Sequence, residues 1–154
     1  MGYKYGVWLV YDPNEFQKRH TIEHIGHFTI SCFMERLDAI ELYNELRQNY
    51  GTNTNIMVIG KPVTFSVGFY EHDNNNLSSW GFEGSCALWT QYKEISSGHK
   101  CDFSATPHTS IEYSKNTIHA NDILQYTMDD FTIKCRMHVV DITSDDPSDW
   151  NIIL

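Results

Sequence analysis

Two short stretches of the chain carry the same pattern: GHFTI at positions 26–30 and PHTSI at positions 107–111. In each, a histidine is followed by any residue, then by a hydroxyl side chain, then by an apolar residue. From the histidine onward, they lie within the runs 27–34 and 106–113, which are rich in the apolar and β-branched residues typical of strands. The repeat raises the hypothesis that two similar strands border one groove.

Alternation of side chains along a strand makes each stretch a pair of polar groups on one face. His27 and Thr29 point the same way, about 7 Å apart, and so do His108 and Ser110. If the strands border one groove, two imidazoles and two hydroxyls converge on it. Histidine transfers protons near neutral pH, and hydroxyls donate hydrogen bonds to phosphate oxygens. This set suits hydrolysis of a phosphodiester without a metal.

A purely structural explanation competes with this hypothesis. A histidine within a strand is more often a satisfied structural residue than a catalyst, so either stretch alone is weak support for a site. The pair carries more weight, because both strands combine the histidine with a hydroxyl two residues later. We therefore expect His27, Thr29, His108 and Ser110 to form one site.

The remaining patterns predict a mixed α+β fold. The best helix covers residues 35–50, where apolar side chains recur every three or four residues and Gly51 marks the stop. Its predicted apolar face consists of Leu37, Ile40, Tyr43, Leu46 and Tyr50. Other elements are a short helix over 121–126, a loop at 72–76, and strands over 5–11, 63–71, one or two within 80–92, 131–142 and 150–154.

Length and charge bound the architecture and the partners. A chain of 154 residues with 41% hydrophobic residues can form one domain with a buried core, and we expect a single domain over 1–154. The formal net charge of −9 argues against a protein that coats long nucleic acid, because phosphate binding needs clustered Lys and Arg. A small anionic ligand in a local polar pocket is compatible with this charge.

The sequence predicts a cytoplasmic protein. Its first twelve residues lack the pattern of a signal peptide, and no apolar run reaches the roughly 18 residues that span a membrane. Cys32, Cys86, Cys101 and Cys135 are widely spaced, which favours free thiols in a reducing compartment. Two disulfides in any of three pairings are the open alternative.

The paired stretches and their surroundings resemble the two-histidine (2H) phosphoesterase superfamily. The supporting features are a first strand with Val7-Trp8-Leu9, a proline before His108, Tyr113 five residues after it, and Trp150 in an end strand. The pattern is most similar to that of the 2′,3′-cyclic nucleotide phosphodiesterases. One departure is Gly26, which precedes His27 where the family often has proline.

This resemblance implies a LigT-like fold, in which two antiparallel-sheet lobes form a central cleft with helices outside. It implies that His27 and His108 divide the acid and base roles, while Thr29 and Ser110 hold the phosphate, with no metal and no cofactor. The expected substrate is a small nucleotide or RNA-derived molecule with a 2′,3′-cyclic phosphate, or ADP-ribose 1″,2″-cyclic phosphate. We expect a monomer without a membrane partner.

Two alternatives stay open at this point. Some branches of the superfamily, including viral members, act on 2′-5′-linked oligoadenylate or on cyclic dinucleotides. A binding module that holds a nucleotide or an RNA end without turnover is the alternative of another class. The segment 63–92 has no trustworthy match to the family, so base recognition there is not predicted.

Three aromatic residues are candidates for stacking on a base, which contributes about 1–3 kcal/mol per base in single-strand binders. Tyr11 and Trp80 lie next to loop signals, and Tyr113 follows the second histidine. Tyr113 has the opposite strand parity to His108, so it reaches the cleft only if the strand twists or bulges.

A metal site is the weaker interpretation of three further histidine positions. His20, His24 and His27 are spaced i, i+4, i+7 and would share one face of a helix, as transition-metal ligands can. Because His27 fits a strand better, we expect no metal here. We expect the polar residues of this segment to border the entrance of the cleft instead.

Overall fold

The computed structural model describes residues 3–16, 24–67, 77–114 and 116–154. In these ranges, nine strands pair into one antiparallel sheet that curls into a half-barrel, together with three α-helices. The strands are β1 (Lys4–Val10), β2 (His27–Met34), β3 (Asn53–Val58), β4 (Val63–Val67), β5 (Leu77–Ser85), β6 (Asp102–Phe103), β7 (His108–Ser114), β8 (Phe131–Ile142) and β9 (Asn151–Ile152). The helices are α1 (Arg36–Tyr50), α2 (Trp89–Ser96) and α3 (Ala120–Ile123). The α+β prediction is confirmed.

The strand order separates the two histidine strands. Along the sheet the order is β4-β5-β3-β8-β1-β2-β6, while β7 pairs with β5 and β9 pairs with β8. Strand β5 joins the two halves, because its last residues pair with β3 (Met57 with Ser85, Val58 with Gly84) and its earlier ones pair with β4 and β7. The first group consists of β1, β2, β3, β6, β8 and β9, and the second consists of β4, β5 and β7. Strand β2 therefore lies in the first group and β7 in the second.

Strand β1 has an apolar side chain at every central position and divides two cores. Val7 and Leu9 point into the larger core, which α1 covers, and Trp8 between them points into a smaller core with Trp150. A continuous apolar run is what a strand with both faces buried requires. Full burial of one such side chain stabilises the fold by about 1.5–3 kcal/mol.

Helix α1 is confirmed, with one correction to its buried face. Gly51 ends it at a φ of 76° and donates its N–H to the Arg47 carbonyl oxygen, as a helix stop requires. Leu37, however, is 72% exposed, and the fully buried residues are Ala39, Leu42 and Leu46. The rest of the predicted face is confirmed, because Leu46 is fully buried and Ile40, Tyr43 and Tyr50 pack against the larger core. The buried face is centred slightly to one side of the predicted one, which leaves Leu37 in solvent.

The prediction of one or two strands within 80–92 is right for its first half only. Residues 80–85 belong to β5, whereas residues 89–92 begin α2. Trp89 and Tyr92 are both buried and three residues apart, which places them on one helix face. Their β-forming side chains favoured a strand in the sequence, and tertiary packing overrode that preference.

Several predicted elements match and others were missed. The strand over 131–142 is confirmed at its predicted bounds, and α3 with the following 3₁₀ turn (Leu124–Tyr126) confirms the helix over 121–126. Strands β3 and β6 were not predicted, because the first three of the six residues of β3 are polar and β6 has only two residues. The predicted strand over 63–71 is observed as β4, and its end and the loop at 72–76 lie outside the described residues.

The cysteines and the helices bear on two further predictions. No disulfide joins the four cysteines, all of which lie in the described ranges, as expected from their spacing. None of the helices in the described ranges is long and apolar enough to cross a membrane.

Candidate active site

A cleft of about 260 Å³ lies between the two groups of strands, and both predicted His-hydroxyl pairs line it. His27 and Thr29 reach it from β2, and His108 and Ser110 reach it from β7. The rest of its described lining is Tyr3, Trp8, Cys32, Phe65, Ser79, Asp102, Phe103, Ser104, Tyr113, Ile142 and Trp150. Strand alternation therefore places each pair on one face, and the curl of the sheet brings the two faces together.

His27 is held as a neutral imidazole in a defined orientation. Its ring stacks on Trp8 with 3.4 Å between ring centroids and 5° between ring planes, and it is 6% exposed. The Nδ1–H donates to the Ile25 carbonyl oxygen at 2.7 Å, a tautomer assigned from this contact. Burial lowers the pKa of His27 to about 3, helped by the charges of His24 and His108. The Nε2 lone pair is therefore available to accept a proton.

His108 occupies a different environment from His27. It is partly exposed, and its Nδ1–H donates to the Thr106 carbonyl oxygen at 3.1 Å. One side of its ring meets Phe65, with 4.7 Å between centroids and a tilt of 41°. Because solvent reaches His108, water can stabilise a positive charge on its ring. The buried ring of His27 lacks this stabilisation.

The hydroxyls of the second pair form a short network. Ser110 Oγ lies 3.1 Å from Ser79 Oγ, and the Tyr113 hydroxyl also bonds to the Ser110 side chain. Burial raises the pKa of Tyr113 to about 12, so its hydroxyl stays protonated. The Thr29 hydroxyl makes no hydrogen bond to another described residue, which leaves it free to donate to a ligand. Ser79 was not singled out by the sequence, since nothing local marks it.

A bulge in β7 resolves the parity of Tyr113. Gly81 pairs with Ser110 and Trp80 pairs with Glu112, so Ile111 is an extra residue on β7. Ile111 points away from the cleft into the larger core, as alternation after Ser110 requires. The extra residue shifts the alternation by one position from there on, so Tyr113 points into the cleft.

Gly81 is required beside this bulge. A Cβ at this position would collide with the Thr109 carbonyl oxygen. We expect Gly81→Ala to lower the free energy of unfolding by about 1–3 kcal/mol, because the strands must separate. Urea denaturation measures this, with Gly98→Ala as the control, since a Cβ at Gly98 meets only an ordinary contact of 3.5 Å. Equal stabilities of the two variants would contradict the close approach.

Two of the three predicted stacking residues lie elsewhere. Tyr11 is 3% exposed in the larger core, where its hydroxyl shares a 2.7 Å hydrogen bond with Thr109. Trp80 is 2% exposed and stacks on Tyr126 at 4.7 Å. Neither lines the cleft, so the expectation that they contact a base is corrected. The aromatic side chain that β4 presents to the cleft is Phe65, which the sequence did not distinguish from core residues.

The position of Tyr11 also explains Gly26. A Cβ on Gly26 would lie 2.5 Å from the Tyr11 ring. A proline or any other larger residue at this position would displace that ring. The glycine before His27 is therefore matched by an aromatic side chain in the adjacent space.

Trp8 and Trp150 form the aromatic floor behind His27. Their ring centroids lie 5.7 Å apart, and Trp150 donates its Nε1–H to the Ser144 carbonyl oxygen at 2.8 Å. The Trp8 Nε1–H is buried without a hydrogen-bond partner in the described part of the chain. Trp150 also contacts Tyr113 at 5.8 Å, so the floor links the walls of the cleft.

His24 lies behind the cleft and contacts Ser110 and Tyr113 on the β7 side of it. Its Nε2–H donates to the Ser110 carbonyl oxygen at 2.9 Å, and its ring lies edge-on to Tyr113 at 4.9 Å. His20 lies outside the described residues, so a metal site that includes His20 is not tested. Within the described ranges, no group of three or more metal-ligating side chains is assembled.

The buried histidines predict a pH-dependent stability. Burial lowers the pKa of His24 to about 4 and that of His27 to about 3, from 6.5 in the unfolded chain. Between pH 6.5 and 4 the unfolded state therefore binds more protons, so the free energy of unfolding falls as the pH is lowered. From pH 6.5 to 5 we expect a loss of about 2 kcal/mol for each histidine.

Denaturant titrations at several pH values measure this loss. His27→Gln should remove about half of it, whereas His119→Gln, at an exposed position, should leave it unchanged. A stability that is level from pH 7 to 5 would contradict the burial of neutral histidines.

Comparison with family models, with curated proteins and with solved structures gives no match to this chain. The chemistry of the cleft therefore has to be inferred from its own residues.

Proposed function

We propose that this chain is a metal-independent phosphodiesterase that opens a 2′,3′-cyclic nucleotide phosphate. The observation that carries the proposal is the convergence of two His-hydroxyl pairs, from strands of different groups, on one cleft. Chance placement of a single histidine is common, whereas two matched pairs on one cavity form a complete set for acid–base catalysis at phosphorus.

The different environments of the histidines support a division of roles. His27 is neutral, with its proton held on Nδ1 by Ile25, so its Nε2 accepts the proton of the attacking water. The water oxygen bonds to phosphorus while the bond to the 2′ or 3′ oxygen breaks. His108, in contact with solvent, protonates that leaving oxygen. The negative phosphate beside His27 stabilises the imidazolium that forms there.

The hydroxyls supply the stabilisation that a metal supplies in other phosphodiesterases. Thr29 and Ser110 donate to the non-bridging phosphate oxygens, and Tyr113 and Ser79 orient Ser110. Because Tyr113 stays protonated, it can also donate a hydrogen bond as charge develops on the phosphate.

Charge and size favour a small monoanionic substrate. None of the described residues that line the cleft is Lys or Arg. A 2′,3′-cyclic mononucleotide carries a single negative charge, whereas ADP-ribose 1″,2″-cyclic phosphate adds a diphosphate that this lining cannot neutralise. A cleft of about 260 Å³ also lies at the small end of ligand pockets, which range over roughly 300–1,000 Å³.

The fold supports membership of the 2H superfamily as part of the same proposal. A LigT-like architecture puts one His-hydroxyl strand in each of two sheet lobes, and here β2 and β7 belong to different strand groups. We propose that the protein acts as a cytoplasmic monomer on a free nucleotide or an RNA-derived end.

A substrate panel tests the proposal. Purified protein is incubated with 2′,3′-cyclic mononucleotides, ADP-ribose 1″,2″-cyclic phosphate, 2′-5′ oligoadenylate and a cyclic dinucleotide, and the products are separated by chromatography. Hydrolysis of the cyclic mononucleotides that EDTA does not reduce is the expected result. Turnover of the oligoadenylate or the dinucleotide alone would favour the alternative substrates. Binding of nucleotide without any product would favour the binding module.

Loss of activity in EDTA that added metal restores would contradict the metal-independent mechanism. The protein is assayed as purified, before and after addition of EDTA, so that any bound metal contributes to the first measurement.

A further inference from the structure

Asp102 is the one carboxylate among the described residues that line the cleft. It belongs to the short edge strand β6, and its side chain is exposed. Within the described ranges its carboxylate forms no hydrogen bond or ion pair. A phosphodiester repels a carboxylate, so this group has no use next to the scissile phosphate, and its position has to suit another part of the ligand.

The pairing of β6 with β2 measures how far Asp102 is from the phosphate-binding residues. Asp102 lies opposite Cys32, three residues along β2 from Thr29. Ile30 is an extra residue of β2 between Thr29 and Ser31, so this span is about 7 Å along β2, and the strand spacing to β6 adds about 5 Å sideways. A nucleoside reaches over a comparable distance from its phosphate to the edge of its base, so a nucleotide held at Thr29 can extend its base to Asp102.

Two phenylalanine side chains also line the cleft. Phe65 lies beside His108, at 4.7 Å between ring centroids, and Phe103 adjoins Asp102 and packs on Trp89 at 5.5 Å. Both phenylalanines are partly exposed, which leaves ring surface for contact with a planar ligand. An aromatic wall with one polar acceptor is the usual composition of a site that reads a base.

We propose that Asp102 is a specificity-determining residue that selects guanine, by accepting two hydrogen bonds from its N1–H and exocyclic amine while Phe65 and Phe103 contact its ring. This inference rests on the proposed function, since it takes the phosphate to lie between His27 and His108. It adds which of the nucleotides is the preferred substrate, and by which contact.

The chemistry of the base edges distinguishes guanine from the other three. Guanine alone presents two adjacent donors to a carboxylate on its Watson–Crick edge. Adenine and cytosine offer one amine donor beside an acceptor, and uracil flanks its one N–H with two carbonyl oxygens that repel a carboxylate. A good bidentate pair discriminates against the wrong base by roughly tenfold or more in binding.

Turnover of the four 2′,3′-cyclic mononucleotides tests the assignment. We expect the wild-type protein to have a kcat/KM for the guanosine substrate about tenfold or more above that for the uridine substrate. Asp102→Asn replaces one acceptor by a donor, so it should lower kcat/KM for the guanosine substrate about tenfold or more and abolish this preference. Asp129→Asn, which removes the same charge at an exposed position outside the cleft, is the matched control and should keep it. An unchanged base preference in Asp102→Asn would overturn the proposal.

Calorimetric binding keeps the two proposals separable. Guanosine and uridine 3′-monophosphates are titrated into the wild-type protein and into Asp102→Asn. If no cyclic nucleotide is hydrolysed, the proposed function fails, yet a preference for the guanosine ligand that Asp102→Asn loses would still support the role of Asp102. Equal affinities of the wild-type protein for the two ligands would overturn that role whatever the turnover.

Discussion

Replacing His27 or His108 by Gln is expected to reduce kcat on a 2′,3′-cyclic nucleotide by about 10²–10⁴-fold, because each variant removes one proton transfer of the proposed reaction. His119→Gln is the matched control, since His119 is exposed and outside the cleft. Circular dichroism and urea denaturation establish that the variants fold. Turnover close to wild type in either His27→Gln or His108→Gln would refute the catalytic assignment.

A substrate with a good leaving group separates the roles of the two histidines. A nitrophenyl phosphodiester needs no proton on its departing oxygen, so His108→Gln should regain much of its lost rate on it, whereas His27→Gln should not. The reverse pattern would make His108 the base. The assignment rests on the burial of His27 and the partial exposure of His108, since both rings donate Nδ1–H to a backbone carbonyl.

Replacing Trp8 by Ala is expected to lower the free energy of unfolding by about 3–5 kcal/mol, because it leaves a large cavity in the smaller core. Trp8 is 1% exposed and contacts both His27 and Trp150. Water that enters the cavity solvates the imidazolium, so the pKa of His27 should rise from about 3 towards 6.5. Urea denaturation measures the first effect and NMR titration of His27 the second.

Trp8→Phe is the conservative comparison for this prediction. It keeps an aromatic ring against His27 and should lose less stability and shift the pKa less than Trp8→Ala. If the pKa of His27 stays the same in both variants, burial by Trp8 is not what keeps this histidine neutral.

Local sequence patterns were sufficient to predict much of the secondary structure. Strand β8 alternates over twelve residues and was predicted at its observed bounds, and α1 was predicted to within one residue at its start. Where aromatic residues were read as strand formers, at Trp89 and Tyr92, the prediction was wrong, because the same side chains also fit a buried helix face. Strands β3 and β6 owe their existence to neighbours that are distant in sequence, and so had no local signal.

By itself, the sequence determined that His27 and Thr29, and likewise His108 and Ser110, share a face, because alternation along a strand is a local property of the backbone. Only the tertiary structure decided that the two faces meet in one cleft, since this depends on the curl of the sheet.

Tertiary structure also decided which other residues belong to the site. The bulge opposite Gly81 turned Tyr113 inwards, while core packing took Tyr11 and Trp80 away from the cleft. The neutral state of His27 has the same origin, because its desolvation comes from Trp8 on another strand. Burial and strand pairing join residues far apart in the chain, and no pattern within a short stretch contains them.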